Sequence, residues 1–255
     1  MFNLSICVVL KNEALYLEEW IEYHKLIGVE HFYIYDNRSN DNTLPIYEKY
    51  KDIITVRLWN LDNWQQKLAY IDYCTKYEKD SIWTAFIDVD EFIAYKGKKT
   101  LVNYLKENNI DSLEIPWMIF GTNGHVERPK GLVLENYTAA HSVSPNIRGK
   151  IICKSSLIDI KHIESPHRFN YTSSNINKQK GNYDSVYLHH YMLKSEEDLY
   201  IKYSKGDVWN HMIRRERLRD IKGNVRAALD KYNKTDIIVD HMLKYVPQIK
   251  GQLVK

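Results

Sequence analysis

The sequence predicts an α/β protein built on a mostly parallel central sheet. Strand-like apolar runs alternate with helical stretches from Leu4 to Phe92, the pattern of βαβ units. Within that region Ser81 to Phe92, SIWTAFIDVDEF, is a continuous apolar run, which fits a strand buried on both faces. The chain has 255 residues, enough for one large α/β domain or two small ones.

Leu4 to Leu10 reads as the first strand. Asn12 is placed to cap a helix over Ala14 to Ile27, with Leu17, Trp20, Ile21 and His24 on one face and Gly28 as its stop. Val29 to Tyr35 is the second strand and runs into the turn cluster Asp36 to Thr43, DNRSNDNT. Leu44 to Lys51 is a short helix with Pro45 in its first turn, Ile53 to Leu58 the third strand, and Asn63 to Glu78 a further helix.

The pattern changes after Glu91. Leu101 to Glu107 reads as helix and Ser112 to Pro116 as strand. Trp117 to Gly131, WMIFGTNGHVERPKG, is a long loop of the kind that usually carries function. Ile151 to Lys154, Leu157 to Ile163 and Val186 to Tyr191 read as strands, and Asn170 to Tyr183 as a polar loop. Ser195 and Asp198 form a capping box opening a helix to Tyr203, and Val208 to Tyr232 reads as a basic helix broken or bent near Gly223.

Composition narrows the class. Hydrophobic residues make up 44% and charged residues 27%, as in a soluble globule. The net charge of +3 is too small to point to nucleic acid. From Gly206 onward there are 11 Lys and Arg against 6 Asp and Glu, so this region is either a contact for an anionic membrane surface or a solvated helix face. The three cysteines, Cys7, Cys74 and Cys153, form no zinc or disulfide pattern, and a reducing compartment is expected. The N-terminus, MFNLSICVVLKNE, lacks a positive start and a cleavage site and reads as a strand rather than a signal peptide. The 20 tyrosines include rings suited to sugar faces.

Asp88, Asp90 and Glu91 close the central run. Three carboxylates at the end of a buried strand are costly unless paired, and a hard divalent cation would satisfy them. The competing reading is a solvated turn or a helix cap. An EF-hand is excluded, because Ile93 stands where the loop needs glycine. A dinucleotide-binding oxidoreductase is excluded too, because LKNEAL follows the first strand in place of a GxGxxG.

Four segments together resemble glycosyltransferase family 92 and its bacterial relatives among the family 2-like transferases: VVLKNEALYLEEWIEYHKLIGVEHFYIYDNRSNDNT, FIDVDEF, WMIFGTNGH and LHHYMLKSEED. The resemblance runs from Ile6 to Gly206. It implies a GT-A fold, the Rossmann-like fold of nucleotide-diphospho-sugar transferases. Residues 1–205 are then the transferase domain, with a nucleotide-sugar-binding half at 1–95 and an acceptor-binding half at 96–205; residues 206–255 are a basic helical extension.

The resemblance also implies roles. Asp90 is the direct ligand of Mn²⁺ or Mg²⁺, Asp88 contacts the ribose or the metal's water shell, and His190 supplies a further ligand. Lys11, Asn12, Glu13 and Asp36 lie at the nucleotide, although each of the last three has a plain reading as a cap or Asx-turn. An inverting enzyme needs a base for the acceptor hydroxyl; Glu127 and His125 are the candidates, with Glu91 and Glu164 behind them. Trp117 and Phe120 either stack on an acceptor sugar or pack in the core.

The expected function is metal-dependent, inverting transfer (EC 2.4) from a nucleotide sugar, most simply a UDP-sugar, to a glycan or lipid-linked acceptor in surface polysaccharide or glycolipid synthesis. The expected location is cytoplasmic, with a peripheral site at the inner membrane face. The alternative is a non-catalytic glycan- or nucleotide-binding module on a degenerate transferase fold.

Overall fold

The computed structural model describes residues 1–62, 65–141, 149–205 and 220–254. The chain forms two compact units. The first comprises Met1–Leu61, Gln65–Trp117 and Ile147–Leu188; the second comprises Asp62–Trp64, Met118–Asn146 and His189–Lys255.

The first unit begins with β1 (Phe2–Leu10), α1 (Ala14–Leu26), β2 (His31–Asp36), α2 (Thr43–Lys49), β3 (Ile54–Leu58), α3 (Gln65–Tyr77) and β4 (Ser81–Phe86). There follow β5 (Glu91–Tyr95), α4 (Leu101–Glu107) and β6 (Ser112–Ile119). After α5 (Val133–Asn136) and β7 (Ala139–Ala140) come β8 (Gly149–Cys153), β9 (Lys178–Lys180) and β10 (Val186–His190). Among the described residues the main sheet runs β3-β2-β1-β4-β8-β6-β10-β5, with β9 paired to β6.

The α/β expectation holds, and the sheet is mixed. β3, β2, β1 and β4 are parallel neighbours. β8 is antiparallel to both β4 and β6. The parallel half arises because each crossover from one strand to the next carries a helix. Gly28 ends α1 as expected: at φ +101° it takes a left-handed conformation that glycine reaches without steric cost.

The face of the sheet that carries α3 explains much of the tyrosine content. Tyr33, Tyr35, Tyr70 and Tyr73 pack with Cys7, Cys74, Cys153, Phe86 and Phe169 in one buried cluster. Three of the four hydroxyls are tied down, Tyr33 donating to Asp80 at 3.1 Å, Tyr35 donating to Asp72 at 2.9 Å and Tyr73 pairing with Thr84 at 2.7 Å. A tyrosine so placed packs like phenylalanine while its hydroxyl keeps a polar partner. On α1, Trp20 donates to the Glu91 carbonyl at 2.8 Å and Tyr23 to the Ile93 carbonyl at 2.7 Å, which fixes β5.

Several expectations are corrected. The central run is two strands: β4 stops at Phe86 and β5 starts at Glu91, far from β4 in the strand order. Ile87 to Asp90 turns between them, closed by Glu91 N–H on the Asp88 carbonyl at 3.1 Å and Asp88 N–H on Glu91 Oε2 at 2.8 Å. Leu157 to Ile163 is not a strand: a 3-10 turn, Ser155–Leu157, ends at its first residue and a second, Ile160–His162, capped by Asp159, lies within it. The loop over Asn170 to Tyr183 contains β9, and the start of the loop at Trp117 extends β6 to Ile119. Asn12 is not the helix cap. Glu13 holds that position without a side-chain bond, and Asp41 Oδ2 accepts from the Ala14 N–H at 2.9 Å instead.

In the second unit, α6 (Glu196–Lys205) and α7 (Ile221–Tyr232) pack through Leu193, Leu199 and Ala228. Ser195 caps α6 as expected, accepting from the Asp198 N–H at 3.0 Å. The unit also holds β7 paired with β11 (Ile237–Ile238), and the last helix, α8 (Val246–Leu253). Asn63, Trp64 and all of Val208 to Arg219 in the expected helices lie outside the described residues. Gly223 lies in the first turn of α7, where its N–H is capped by Asp220 at 2.8 Å. Among the described residues, no helix is long and apolar enough to cross a membrane.

Candidate active site

The carboxyl ends of β1, β2, β3 and β4 all open on the same edge of the parallel half, the edge where open α/β sheets bind ligands. Two groups of predicted residues sit there.

The first group follows β1 and β2. Asn12, at φ 55°, accepts from the Asn40 N–H with Oδ1 at 2.8 Å, and its own N–H donates to Ser39 Oγ at 2.9 Å. Asn12 is thus stitched to the turn that follows Asp36, and Ala14 N–H adds a bond to Asp41 Oδ2 at 2.9 Å. Asp36 is only 4% exposed. Its Oδ1 accepts from the Ser39 N–H and its Oδ2 from the Tyr47 hydroxyl, each at 2.8 Å. The Asx-turn reading of Asp36 therefore describes part of its role, since a carboxylate oxygen retains a second lone pair beside each such bond. Asn37 extends the stitching, donating from Nδ2 to the Trp59 and Leu61 carbonyls.

The second group is the turn after β4. Asp88 and Asp90 are half-buried and Glu91 is fully buried. Asp88 Oδ1 accepts from Gln66 Nε2 at 2.5 Å, and Oδ2 from Lys150 Nζ at 2.8 Å. Lys150 also stands 3.9 Å from Glu91 Oε2, with 1% of its side chain exposed. Glu91 Oε1 accepts from the Trp117 indole N–H at 2.6 Å. Burial pushes the Glu91 carboxyl well above the usual carboxylate range, against the pull of Lys150. Burial also works against the Lys150 charge, but the carboxylates of Asp88 and Glu91 outweigh it and hold the ammonium above its usual value.

Gln66 and Lys150 were not anticipated. The sequence signal for Lys150 was a lysine at the start of an apolar strand, GKIIC, where a buried charge needs a partner. Its partner follows from the register: Ile151 pairs with Phe86, which puts Lys150 level with the residues after β4. Tyr70, one turn beyond Gln66 on α3, is fully buried, and its hydroxyl has no hydrogen-bond partner among the described residues. Burial first, then the nearby Asp88 charge, push that hydroxyl well above its usual value.

Trp117 joins this site to its surroundings. Its ring meets His167 edge-on at 5.2 Å, and His167 Nδ1 donates to the Gly149 carbonyl at 2.9 Å. His167 lines an open cleft together with Glu114, Gly149, Ile151, Phe169 and Tyr171. The Glu164 candidate also lines this cleft.

The remaining candidates lie in the second unit. His125 is half-buried, its ring edge-on to Tyr137 at 5.4 Å and its Nε2 3.3 Å from the Asn136 carbonyl. Glu127 is exposed. Its neighbour Arg128 is engaged with Asp198 instead, through Nε at 2.8 Å and Nη2 at 2.6 Å. His190 is 6% exposed at the end of β10. His189 is fully buried against Phe120, with ring centroids 4.5 Å apart, so Phe120 is a core residue here.

Among the described residues, no three or more His, Cys, Asp and Glu side chains are grouped to hold a metal ion by themselves. Magnesium-type sites that also use substrate phosphates need only one or two protein carboxylates.

The sequence pattern of glycosyltransferase family 92 matches residues 3–234. The chain belongs to glycosyltransferase family 92. A family 92 protein of Oryza sativa subsp. japonica is 33% identical over 171 residues, covering 63% of this chain and 29% of the relative. One of Ricinus communis is 30% identical over 176 residues, covering 66% and 31%. The chain thus spans under a third of the length of these family 92 relatives. Among solved structures, residues 1–349 of S. aureus TarS show 15% identity and a TM-score of 0.47, covering 99% of this chain and 79% of that one. HddC from Yersinia pseudotuberculosis shows 10% identity and a TM-score of 0.46, covering 79% and 97%.

Proposed function

We propose that this family 92 domain is a metal-dependent glycosyltransferase. It takes a sugar from a nucleotide-sugar donor, most simply a UDP-sugar, and passes it with inversion to a glycan or lipid-linked acceptor. The observation that carries the reading is the acid turn at the carboxyl end of β4. There Asp88 is held from both sides by Gln66 and Lys150, and Asp90 follows it half-buried at the sheet edge.

The residues present suit a hard cation. Asp88 and Asp90 offer half-buried carboxylate oxygens at the sheet edge, the ligand type that Mn²⁺ and Mg²⁺ prefer. Asp90 would hold Mn²⁺ or Mg²⁺, with Asp88 beside it and His190 as the candidate further ligand. When bound, the cation supplies Lewis-acid stabilisation of the charge on the departing nucleoside diphosphate.

The chain's own residues do the remaining work. The loop Lys11–Asn12–Glu13, tied through Asn12 to the turn that Asp36 opens, and Asp36 itself shape the nucleoside site, where a carboxylate or amide oxygen accepts a base N–H or ribose hydroxyl. Glu127 or His125 takes the proton of the acceptor hydroxyl. Surface polysaccharide or glycolipid is the fitting product class. A cytoplasmic enzyme, resting on an anionic membrane through its basic C-terminal region, fits that product.

The test uses the 255-residue chain with a panel of UDP-sugars, with and without Mn²⁺. Donor hydrolysis or transfer is expected with Mn²⁺, to be lost with EDTA and with Asp90→Ala while the circular dichroism spectrum is unchanged. Turnover undiminished in Asp90→Ala would overturn the reading.

A further inference from the structure

The loop that carries His125 and Glu127 is held by a segment far from it in the chain. Thr122 is 2% exposed, and its N–H donates to Asn233 Oδ1 at 2.8 Å, across 111 residues of sequence. Its hydroxyl donates to the same oxygen at 3.1 Å and accepts from the Gly124 N–H at 3.3 Å. The His125 N–H then donates to the Thr122 carbonyl at 3.0 Å. One oxygen of Asn233 thus anchors the turn that leads into His125. Asn233 follows directly on α7, and the chain beyond it stays with the same loop. Ile237 and Ile238 pair antiparallel with Ala140 and Ala139, and the Val239 N–H donates to the Thr138 carbonyl at 2.8 Å. Asn123 ties the two limbs together, accepting from the Ala139 N–H at 2.6 Å and donating to the Ala139 carbonyl at 3.0 Å.

Gly121 shows how near the segment comes. A methyl group there would stand 2.8 Å from Asn233 Oδ1 and 3.0 Å from the Lys234 carbonyl oxygen. Such an approach calls for glycine. Beyond the turn, the loop is tied to the start of α6. The Glu196 and Glu197 N–H groups donate to the His125 and Val126 carbonyls at 3.2 and 3.0 Å, and the Arg128 N–H donates to Glu197 Oε2 at 2.8 Å. All of these residues belong to the second unit. Asn233 is itself exposed, so its contribution lies in the acceptor oxygen rather than in buried area.

We propose that Asn233 is a positioning residue for proton removal from the acceptor. With residues 234–239 it clasps the 121–125 turn and fixes the direction in which His125 and Glu127 leave it. The inference rests on the assignment above of the acceptor base to one of those two residues. A base must stand within hydrogen-bond reach of the proton it takes, so a small displacement of its loop slows the reaction. Nucleotide binding, assigned to the first unit, does not call on this clasp.

The test follows UDP release from the UDP-sugar that the chain turns over best, with Mn²⁺ present and water as the acceptor, on the 255-residue chain and its variants. UDP affinity is measured by calorimetry, and amide exchange over residues 118–128 by mass spectrometry. N233A removes the acceptor oxygen and is expected to speed exchange across 121–125 by about tenfold. It is expected to lower kcat by about tenfold or more. Donor KM and UDP affinity are expected to stay within about twofold of wild type. N233D keeps an acceptor oxygen for both Thr122 donors and is expected to retain slow exchange and wild-type kcat. G121A pushes the clasp outward and is expected to follow N233A in both measurements.

Wild-type exchange in N233A overturns the clasp. Faster exchange with wild-type kcat shows a purely structural tie and overturns the positioning role. Equal losses of kcat in N233A and N233D, or a loss of UDP affinity in step with kcat, overturn it as well. No turnover by the wild type with any UDP-sugar would sink the transferase reading itself, and the positioning role with it.

Discussion

The indole N–H of Trp117 donates to Glu91 Oε1 at 2.6 Å, joining β6 to the start of β5 behind the acid turn. Glu91 is fully buried, and its other oxygen accepts from the Asp88 N–H. It is thus a brace for the turn, held away from the solvent that an acceptor hydroxyl would share. Trp117→Phe keeps a ring against His167 but leaves one oxygen of a buried carboxyl without its donor. The expected loss is about 1–3 kcal/mol, read from urea midpoints. A midpoint unchanged from wild type would show that the bond contributes nothing.

Acid stability reports on His24. The ring is fully buried, and its Nδ1 donates to the Trp20 carbonyl at 2.8 Å while Nε2 accepts from the Ile93 N–H at 3.3 Å. That arrangement requires the neutral ring, and burial lowers its pKa to about 3 despite the Trp20 bond. The unfolded chain protonates this histidine near its ordinary value of about 6.5 while the folded chain does not. Its contribution is intact above that value and is lost as pH falls toward 3, with a slope approaching about 1.4 kcal/mol per unit. Chemical denaturation of wild type and His24→Gln at pH 7 and pH 5 should show the smaller acid loss in the variant.

Asp36 is held by Tyr47 as well as by its own turn. Removing the Tyr47 hydroxyl, which donates to Oδ2 at 2.8 Å, should cost about 1 kcal/mol in Tyr47→Phe. If Asp36 shapes the nucleoside site, UDP affinity measured by calorimetry should fall in the same variant by a few-fold. Asp36→Ala strands both the Tyr47 hydroxyl and the Ser39 N–H and should cost more in both measurements.

In the second unit, Asp198 serves two partners. It accepts from Ser195 Oγ at 2.7 Å at the start of α6 and receives the Arg128 fork. Ser195→Ala should cost about 1 kcal/mol as a lost cap. Asp198→Ala should cost more, roughly 2–3 kcal/mol, because Arg128 loses its charge partner at the same time. Equal melting temperatures in the two variants would show that the Arg128 pair is only a surface contact.

The order of elements was legible because it is local. The spacing of Leu17, Trp20, Ile21 and His24, the stop at Gly28 and the Ser195–Asp198 box each depend on residues a few positions apart. Leu101–Glu107 appears where its pattern placed it, with Thr100 as the cap. Errors came where a distant partner decides. The run from Ser81 to Phe92 reads as one strand until Glu91 folds back on the Asp88 N–H. Leu157 to Ile163 is apolar enough for a strand, but its side chains Ile158 and Ile163 are spent on the α3-facing cluster.

By itself, then, the sequence determined the α/β alternation, the family 92 pattern and the presence of an acidic motif after a buried run, since propensity, periodicity and short motifs are carried by neighbouring residues. The tertiary structure alone decided which groups surround that motif. Lys150 is 62 residues from Asp88 in the chain and Gln66 is 22. Only the antiparallel register of β8 against β4 and the seating of α3 bring them to the two oxygens of one carboxylate, and a buried charge takes its properties from those neighbours.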